Sequence, residues 1–198
     1  MPTLHLASTN PHKLREFRRL FGTAFVLVPA AFPPQSNPWI EDGLTFLDNA
    51  IKKAVFYSTC SPSLVLADDS GLSVAALGGE PGVYSARYAG PQASDDDNRR
   101  LVLDRLSQAP AERRQATFSC ALALARGGTL LATAEATCPG RIAPSPDGTD
   151  AFGYDPIFVP FGATDTFAKM PPEEKDRYSH RARAIAQLLA TFPPDRWR

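Results

Sequence analysis

An α/β fold with a mixed sheet is what this sequence predicts, and three observations carry the prediction. Short apolar runs of strand character recur along the chain, Leu64-Val65-Leu66-Ala67 being the clearest. Other stretches repeat their apolar residues with helical spacing, as Phe46, Ala50, Ala54 and Tyr57 do. The two kinds of segment mix without strict alternation, which points to a mixed sheet. The 198 residues suffice for one domain with a substantial core, either undivided or parted into two lobes.

Taken in order, Thr3 to Ala7 reads as a first strand. At Ser8-Thr9-Asn10-Pro11 the chain must turn. Asn10 precedes a proline and is pushed out of helical geometry, whereas Pro11 suits the first helical position. Asn10 is therefore the expected N-cap of a helix reaching Phe21, with Leu14, Phe17, Leu20 and Phe21 on its buried face. A proline-rich loop follows from Pro29 to Pro38, then a second helix from Thr45 to Tyr57. The apolar run Leu64 to Ala67 is expected to end as a buried strand at Asp68-Asp69-Ser70-Gly71. A glycine-rich loop, Gly78 to Gly82, leads to Val83-Tyr84-Ser85-Ala86-Arg87-Tyr88, and Ser94 to Ser107 reads as a polar-faced helix capped by Ser94. Ala116–Ala125 and Thr129–Thr137 form an expected hairpin around Arg126-Gly127-Gly128. A turn-rich segment, Ala143 to Asp150, precedes Phe152-Gly153-Tyr154-Asp155-Pro156 and the apolar Ile157-Phe158-Val159, and the last helix spans Ser179 to Leu189. There are no repeats.

Composition narrows the functional classes. The 21 basic and 21 acidic side chains cancel, which argues against a duplex-binding surface, where a basic excess is the rule. A local basic pocket for a small anion is compatible with that balance. Cys60, Cys120 and Cys138 are odd in number and form no C-x-x-C pair, so neither a disulfide framework nor a metal cluster is expected, and a reducing cytoplasm fits. The start Met1-Pro2-Thr3-Leu4-His5 shows no basic segment followed by a long apolar run, so no signal peptide is expected. No apolar stretch approaches the ~20 residues of a membrane helix. Only five of the basic residues are lysines: Lys13, Lys52, Lys53, Lys169 and Lys175.

Four segments carry residues suited to chemistry. The turn Ser8 to Lys13 puts a helix start, with its unpaired N–H groups, beside a lysine, as an anion site requires. The alternative is a plain cap with a solvated lysine. It is not a P-loop. Asp68-Asp69-Ser70-Gly71 offers two carboxylates that a strand end followed by glycine can turn to one side, and Mg²⁺ takes one or two carboxylates together with phosphate oxygens. Glu41 is the second acid to consider, and an acidic turn is the alternative. Phe152-Gly153-Tyr154-Asp155 sets an aromatic face beside a carboxylate, which suits a purine, or equally a core aromatic before a turn. Lys175 with Ser179-His180-Arg181 gathers donors just before and at a helix start, where His180 alone reads as a structural or surface histidine.

Together these segments resemble the inosine triphosphate/xanthosine triphosphate pyrophosphatase family. The resemblance runs in order through Ala7-Ser8-Thr9-Asn10 with Lys13 and Glu16-Phe17, Glu41-Asp42-Gly43-Leu44-Thr45-Phe46 with Asn49-Ala50 and Lys53-Ala54, and Ala67 to Leu72. It continues through Pro81 to Tyr88, Phe152 to Phe158, and Lys175 with Ser179-His180-Arg181. It implies a long mixed sheet in two lobes around a deep nucleotide-binding cleft, with residues 1–198 as a single domain lacking a separable linker. It further implies Mg²⁺-dependent hydrolysis of a purine nucleoside triphosphate to monophosphate and pyrophosphate, by a homodimer. By similarity, Ser8, Thr9, Asn10, Pro11, His12, Lys13 and Lys53 hold phosphates. Glu41 and Asp69 serve the metal, and Asp69 is the general base. Ser70, Phe152, Gly153, Tyr154, Asp155, Lys175, His180 and Arg181 line the nucleotide. The chain departs from the common pattern at His12, Cys138 and Ala151.

Two other readings compete: a related pyrophosphatase for other modified or pyrimidine nucleotides, and a nucleotide-binding regulatory module without turnover. The second requires a missing base or metal ligand, whereas Asp69 and Glu41 are both present.

Overall fold

A computed structural model of the chain describes residues 3–30, 42–60, 62–149 and 152–197. Strand β1 (Thr3–Leu6) leads into helix α1 (Pro11–Phe21) through the expected turn. Asn10 lies in the extended region (φ −72°, ψ 116°), and its side chain accepts from the N–H groups of His12 and Lys13. β2 (Val26–Pro29) pairs parallel to β1 and is not apparent in the sequence, because a four-residue run ending in proline reads as the start of a loop. α2 (Phe46–Ser58) is capped by Thr45, whose hydroxyl accepts from the N–H of Asp48.

β3 (Leu64–Val74) corrects the sequence reading. The strand does not end at Asp68 but runs on through Asp68, Asp69, Ser70 and Gly71. Charge at its centre is compatible with strand geometry because each side chain there finds a partner, as described below. α3 (Asp95–Arg105) begins with a capping box in which Ser94 and Asp97 exchange side-chain-to-backbone hydrogen bonds. β4 (Gln115–Arg126) and β5 (Thr129–Ile142) form the expected hairpin, with β5 extending past Thr137. β6 (Phe158–Pro160) pairs antiparallel to β5. α4 (Pro172–Tyr178), hidden from the sequence by its shortness and its two leading prolines, carries Lys175. α5 (His180–Thr191) is the last α-helix among the described residues.

The strands are ordered β2-β1-β3-β4-β5-β6 in one six-stranded mixed sheet with flanking helices. The chain divides into two compact units. The first comprises residues 1–69, 120–136 and 181–198, the second residues 70–119 and 137–180.

In the first unit the pleat of β3 separates two cores. Leu64 and Leu66 join Leu4, Leu6, Phe17, Phe21, Leu122, Leu188 and Trp197 on one side. Val65 and Ala67 join Ala50, Ala54, Tyr57, Ala121 and Ala123 on the other. The small alanines let α2 lie close against the strands. In the second unit Leu72, Val74, Val102, Leu106, Phe118, Phe158 and Phe167 share one core, with the Phe118 and Phe158 rings 4.6 Å apart.

Candidate active site

In the first unit, the α1 start is built as the sequence suggests. The Asn10 carboxamide oxygen accepts from His12 N at 2.9 Å and Lys13 N at 3.2 Å, and Asn10 N donates to Ser8 Oγ at 3.2 Å. Thr9 and Pro11 are exposed beside them. His12 Nδ1 meets Arg15 at 2.9 Å. The Lys13 side chain folds back to Asp68, with Nζ at 2.5 Å from Oδ2. Lys53, from α2, donates to the Asp68 carbonyl at 3.4 Å. The two lysines expected to serve phosphate are thus both brought to the middle of β3.

Adjacent residues of a strand face opposite ways, and this separates the two aspartates. Asp68 follows Leu64 and Leu66 to the α1/α5 side, where its fully buried carboxylate meets Lys13, Arg181 Nε at 3.7 Å and the Cys120 thiol at 3.2 Å. Burial pushes the Asp68 carboxyl upward, but the Lys13 and Arg181 charges, with hydrogen bonds from Lys13 and Cys120, prevail and hold it well below the usual carboxylate range. Burial and the Asp68 charge raise the Cys120 thiol well above its ordinary value, so it stays a neutral donor. Arg181 also pairs with the buried Glu16 at 2.8 Å.

Asp69 follows Val65 and Ala67 to the α2 side, where its Oδ2 accepts from Asn49 Nδ2 at 3.1 Å. The expectation that both carboxylates turn to one side is therefore corrected. The same Asn49 accepts from Gly43 N at 2.8 Å. A Cβ on Gly43 would stand 2.5 Å from the Asn49 oxygen, so this approach requires glycine. Glu41 lies outside the described residues, as does Ala151. Among the described residues no three His, Cys, Asp or Glu side chains gather into a metal cluster. Mg²⁺ does not need one, since it takes one or two carboxylates and completes its shell with phosphate oxygens and water. A buried carboxylate with its orientation fixed by an amide, as at Asp69, fits that donor chemistry.

In the second unit, Ser70 is half-buried on β3. Phe152-Gly153-Tyr154-Asp155 forms a tight turn in which Asp155 N donates to the Phe152 carbonyl at 3.1 Å. Phe152 is half-buried. The Tyr154 hydroxyl donates to the Ser85 carbonyl at 2.8 Å, and burial raises its phenol well above the usual value, so it remains protonated. Asp155 pairs with Lys175 at 2.6 Å, both buried, and the ammonium lies 5.5 Å from the centre of the Phe167 ring. The His180 ring, buried, stacks on Phe118 at 4.7 Å with the planes 8° apart.

Several residues of this framework carry no role in the sequence reading: Asn49, Cys120, Ser85 and Phe118. For Asn49 the available signals are an asparagine on an alanine-rich helix face and its place in the resembling segment Asn49-Ala50. The others depend on pairings between residues far apart in sequence.

The Ham1 family model matches residues 4–191. A dITP/XTP pyrophosphatase of Shouchella clausii is 44% identical over 192 residues, covering 97% of each chain. One from Geobacillus kaustophilus is 45% identical, covering 95% of this chain and 93% of its own. Among solved structures, the Staphylococcus aureus Ham1 protein superposes with a TM-score of 0.83 at 35% identity, covering 98% of this chain and 99% of its own. A nucleoside-triphosphatase / dITP/XTP pyrophosphatase from Mycobacterium abscessus gives 0.74 at 44% identity, with 94% and 98% covered. With the family model spanning nearly its whole length and such relatives on both sequence and structure, the chain belongs to the Ham1 family.

Proposed function

We propose that this chain is a nucleoside-triphosphate pyrophosphatase that hydrolyses non-standard purine nucleotides, inosine, deoxyinosine and xanthosine triphosphates, to the monophosphate and pyrophosphate. The observation that carries the reading is the gathering of Lys13, Lys53 and the α1 start around the Asp68-Asp69 pair, in a chain 44% identical to a dITP/XTP pyrophosphatase.

The positive end of the α1 dipole and the two lysines offer positive charge to phosphate oxygens. Asp69, fixed by Asn49, orients a water and accepts its proton as the water attacks the α-phosphorus. Pyrophosphate leaves, and Lys13 and Lys53 offset its charge. Asp69 and Glu41 would hold Mg²⁺, which would supply further charge neutralisation on the phosphate oxygens. In the second unit Phe152 stacks on the purine, Lys175 holds Asp155 as an acceptor for ring N–H groups, and Ser70 adds a hydroxyl. Donors from His180, Arg181 or nearby backbone suit a 6-oxo acceptor, whereas adenine's 6-amino group meets them donor to donor. We further infer a cytoplasmic homodimer in which residues 1–198 act as a single domain. Among the described residues no helix is long and apolar enough to cross a membrane.

The test is pyrophosphate release measured across the common and deaminated nucleotides with Mg²⁺. Inosine triphosphate is expected to exceed adenosine triphosphate in kcat/KM by as much as ~10⁴-fold, because an analogue that leaves buried donors unpaired is rejected on that scale. Release of orthophosphate from the γ position, or equal rates on adenine and hypoxanthine nucleotides, overturns the proposal.

A further inference from the structure

The first turns of α3 bury two polar side chains, and the roles assigned above leave them unused. Asn98 and Arg99 are both buried there, and Asp95 lies one turn earlier on the same side. The geometry points to Asp95 and Arg99 as positioning residues that fix the backbone of Phe152, an inference that rests on the reading of Phe152 as the base-stacking ring.

Gly153 N donates to Asp95 Oδ2 at 2.7 Å, and Arg99 Nη1 donates to the Gly153 carbonyl at 2.6 Å. One glycine is therefore gripped at both its polar groups by two side chains four residues apart. The first grip matters most for Phe152. Gly153 N–H belongs to the peptide plane that also contains the Phe152 carbonyl, and that carbonyl accepts from Asp155 N at 3.1 Å. The plane is rigid, so holding it at both edges fixes the ψ rotation of Phe152. Asp155 is itself held by Lys175 at 2.6 Å.

Gly153 has φ +53°, and nothing lies within 4 Å of where its Cβ would be. Glycine serves the backbone conformation there, not a lack of space. The helix that supplies the grip is anchored in turn. Asn98 donates to the Ala86 carbonyl at 3.2 Å and accepts from Ala89 N at 2.8 Å. Both bonds to Gly153 involve a charged partner, the stronger class of hydrogen bond. A half-buried ring set this way loses little freedom when a base stacks on it, so the grip contributes to affinity through preorganisation.

The test uses the full-length chain and two readouts. The first is hydrogen exchange at the Gly153 amide in wild type, D95A and D95N. Exchange is expected to quicken by about tenfold or more in D95A, where the acceptor is gone. It is expected to return most of the way in D95N, whose amide oxygen still accepts. The second is steady-state kinetics with inosine triphosphate. KM is expected to rise about tenfold in D95A, the worth of one charge-assisted bond, with kcat moving much less and D95N recovering most of the loss. In an F152A background, D95A is expected to add little further to KM, because the ring it positions is gone. Unchanged Gly153 exchange in D95A overturns the grip. Faster exchange with an unmoved KM, or effects of D95A and F152A that multiply in full, overturns the positioning role. If F152A alone leaves KM unmoved, the stacking role of Phe152 fails, and the exchange data still judge the grip by themselves.

Discussion

Asp68→Asn removes one charge and almost no volume, which makes it the sharpest test of how the first unit is held together. The Asp68 side chain is fully buried and lies between Lys13 at 2.5 Å and Arg181 at 3.7 Å. Removing one member of a buried ion pair costs about 3–5 kcal/mol, chiefly because the partner is left uncompensated. Two features place this case at the lower end. Arg181 keeps Glu16 at 2.8 Å, and the Lys13 side chain retains 18% exposure and so some hydration. The expected loss is about 3 kcal/mol at pH 7, read as the shift in a urea unfolding midpoint. The loss also has a pH signature. The folded carboxyl is held well below its usual range, whereas in the unfolded chain it titrates near ~3.9. The wild-type advantage is thus complete above that value. It shrinks as pH falls below ~4, where the unfolded chain takes up a proton that the folded chain refuses. The variant cannot titrate there, so the gap between the two proteins narrows in acid. A gap under ~0.5 kcal/mol at pH 7, or one that stays constant from pH 7 to pH 3, refutes the account of Asp68 as a buried counter-charge.

Three further outcomes are expected. Asp69→Asn keeps the Asn49 contact in shape but removes the base, so turnover falls by at least ~10²-fold; near-normal rates remove Asp69 from the mechanism. Asn49→Ala frees both Asp69 and the Gly43 amide, so the Mg²⁺ concentration giving half-maximal rate rises about tenfold; a parallel titration with a chelator abolishes wild-type turnover, and indifference to either refutes the metal assignment. Lys175→Met strands the buried Asp155 carboxylate and costs about 3–5 kcal/mol in unfolding experiments, partly relieved by the second change Asp155→Asn; full additivity of the two changes denies the pair.

The fold was legible wherever a local signal existed. Asn10 before Pro11 marks a helix start by chemistry that acts over three residues, and the cap forms as expected. Ser94 and Thr45 are read the same way. β2 and α4 escape because each is short and bounded by proline, so its partner strand or its neighbours, not its own pattern, make it regular. The site divides along the same line. Residue types at the proposed phosphate and base positions stand out in the sequence, whereas their supports do not. No local pattern announces that Cys120 reaches Asp68, 52 residues earlier, or that Asp95 reaches Gly153, 58 residues later. Arg181 is read from its type as a donor-rich ligand contact, and its guanidinium also pairs with the carboxylates of Glu16 and Asp68, which no local pattern announces.

The extension of β3 through Asp68-Asp69 explains why two identical neighbours should do different work. A turn at this point would have given both carboxylates similar surroundings, and two like charges close together raise one another's pKa. Strand alternation instead sends them to opposite faces. On one face Asp68 is enclosed by an ammonium, a guanidinium and a thiol, all donors. Its negative charge is committed to Lys13 and Arg181, and a metal there would have to displace a buried cation. On the other face Asp69 is oriented by the neutral amide of Asn49. Asp68 is thus held by Lys13 and Arg181, and Asp69 is the carboxylate to which the proposed mechanism gives the base and metal roles.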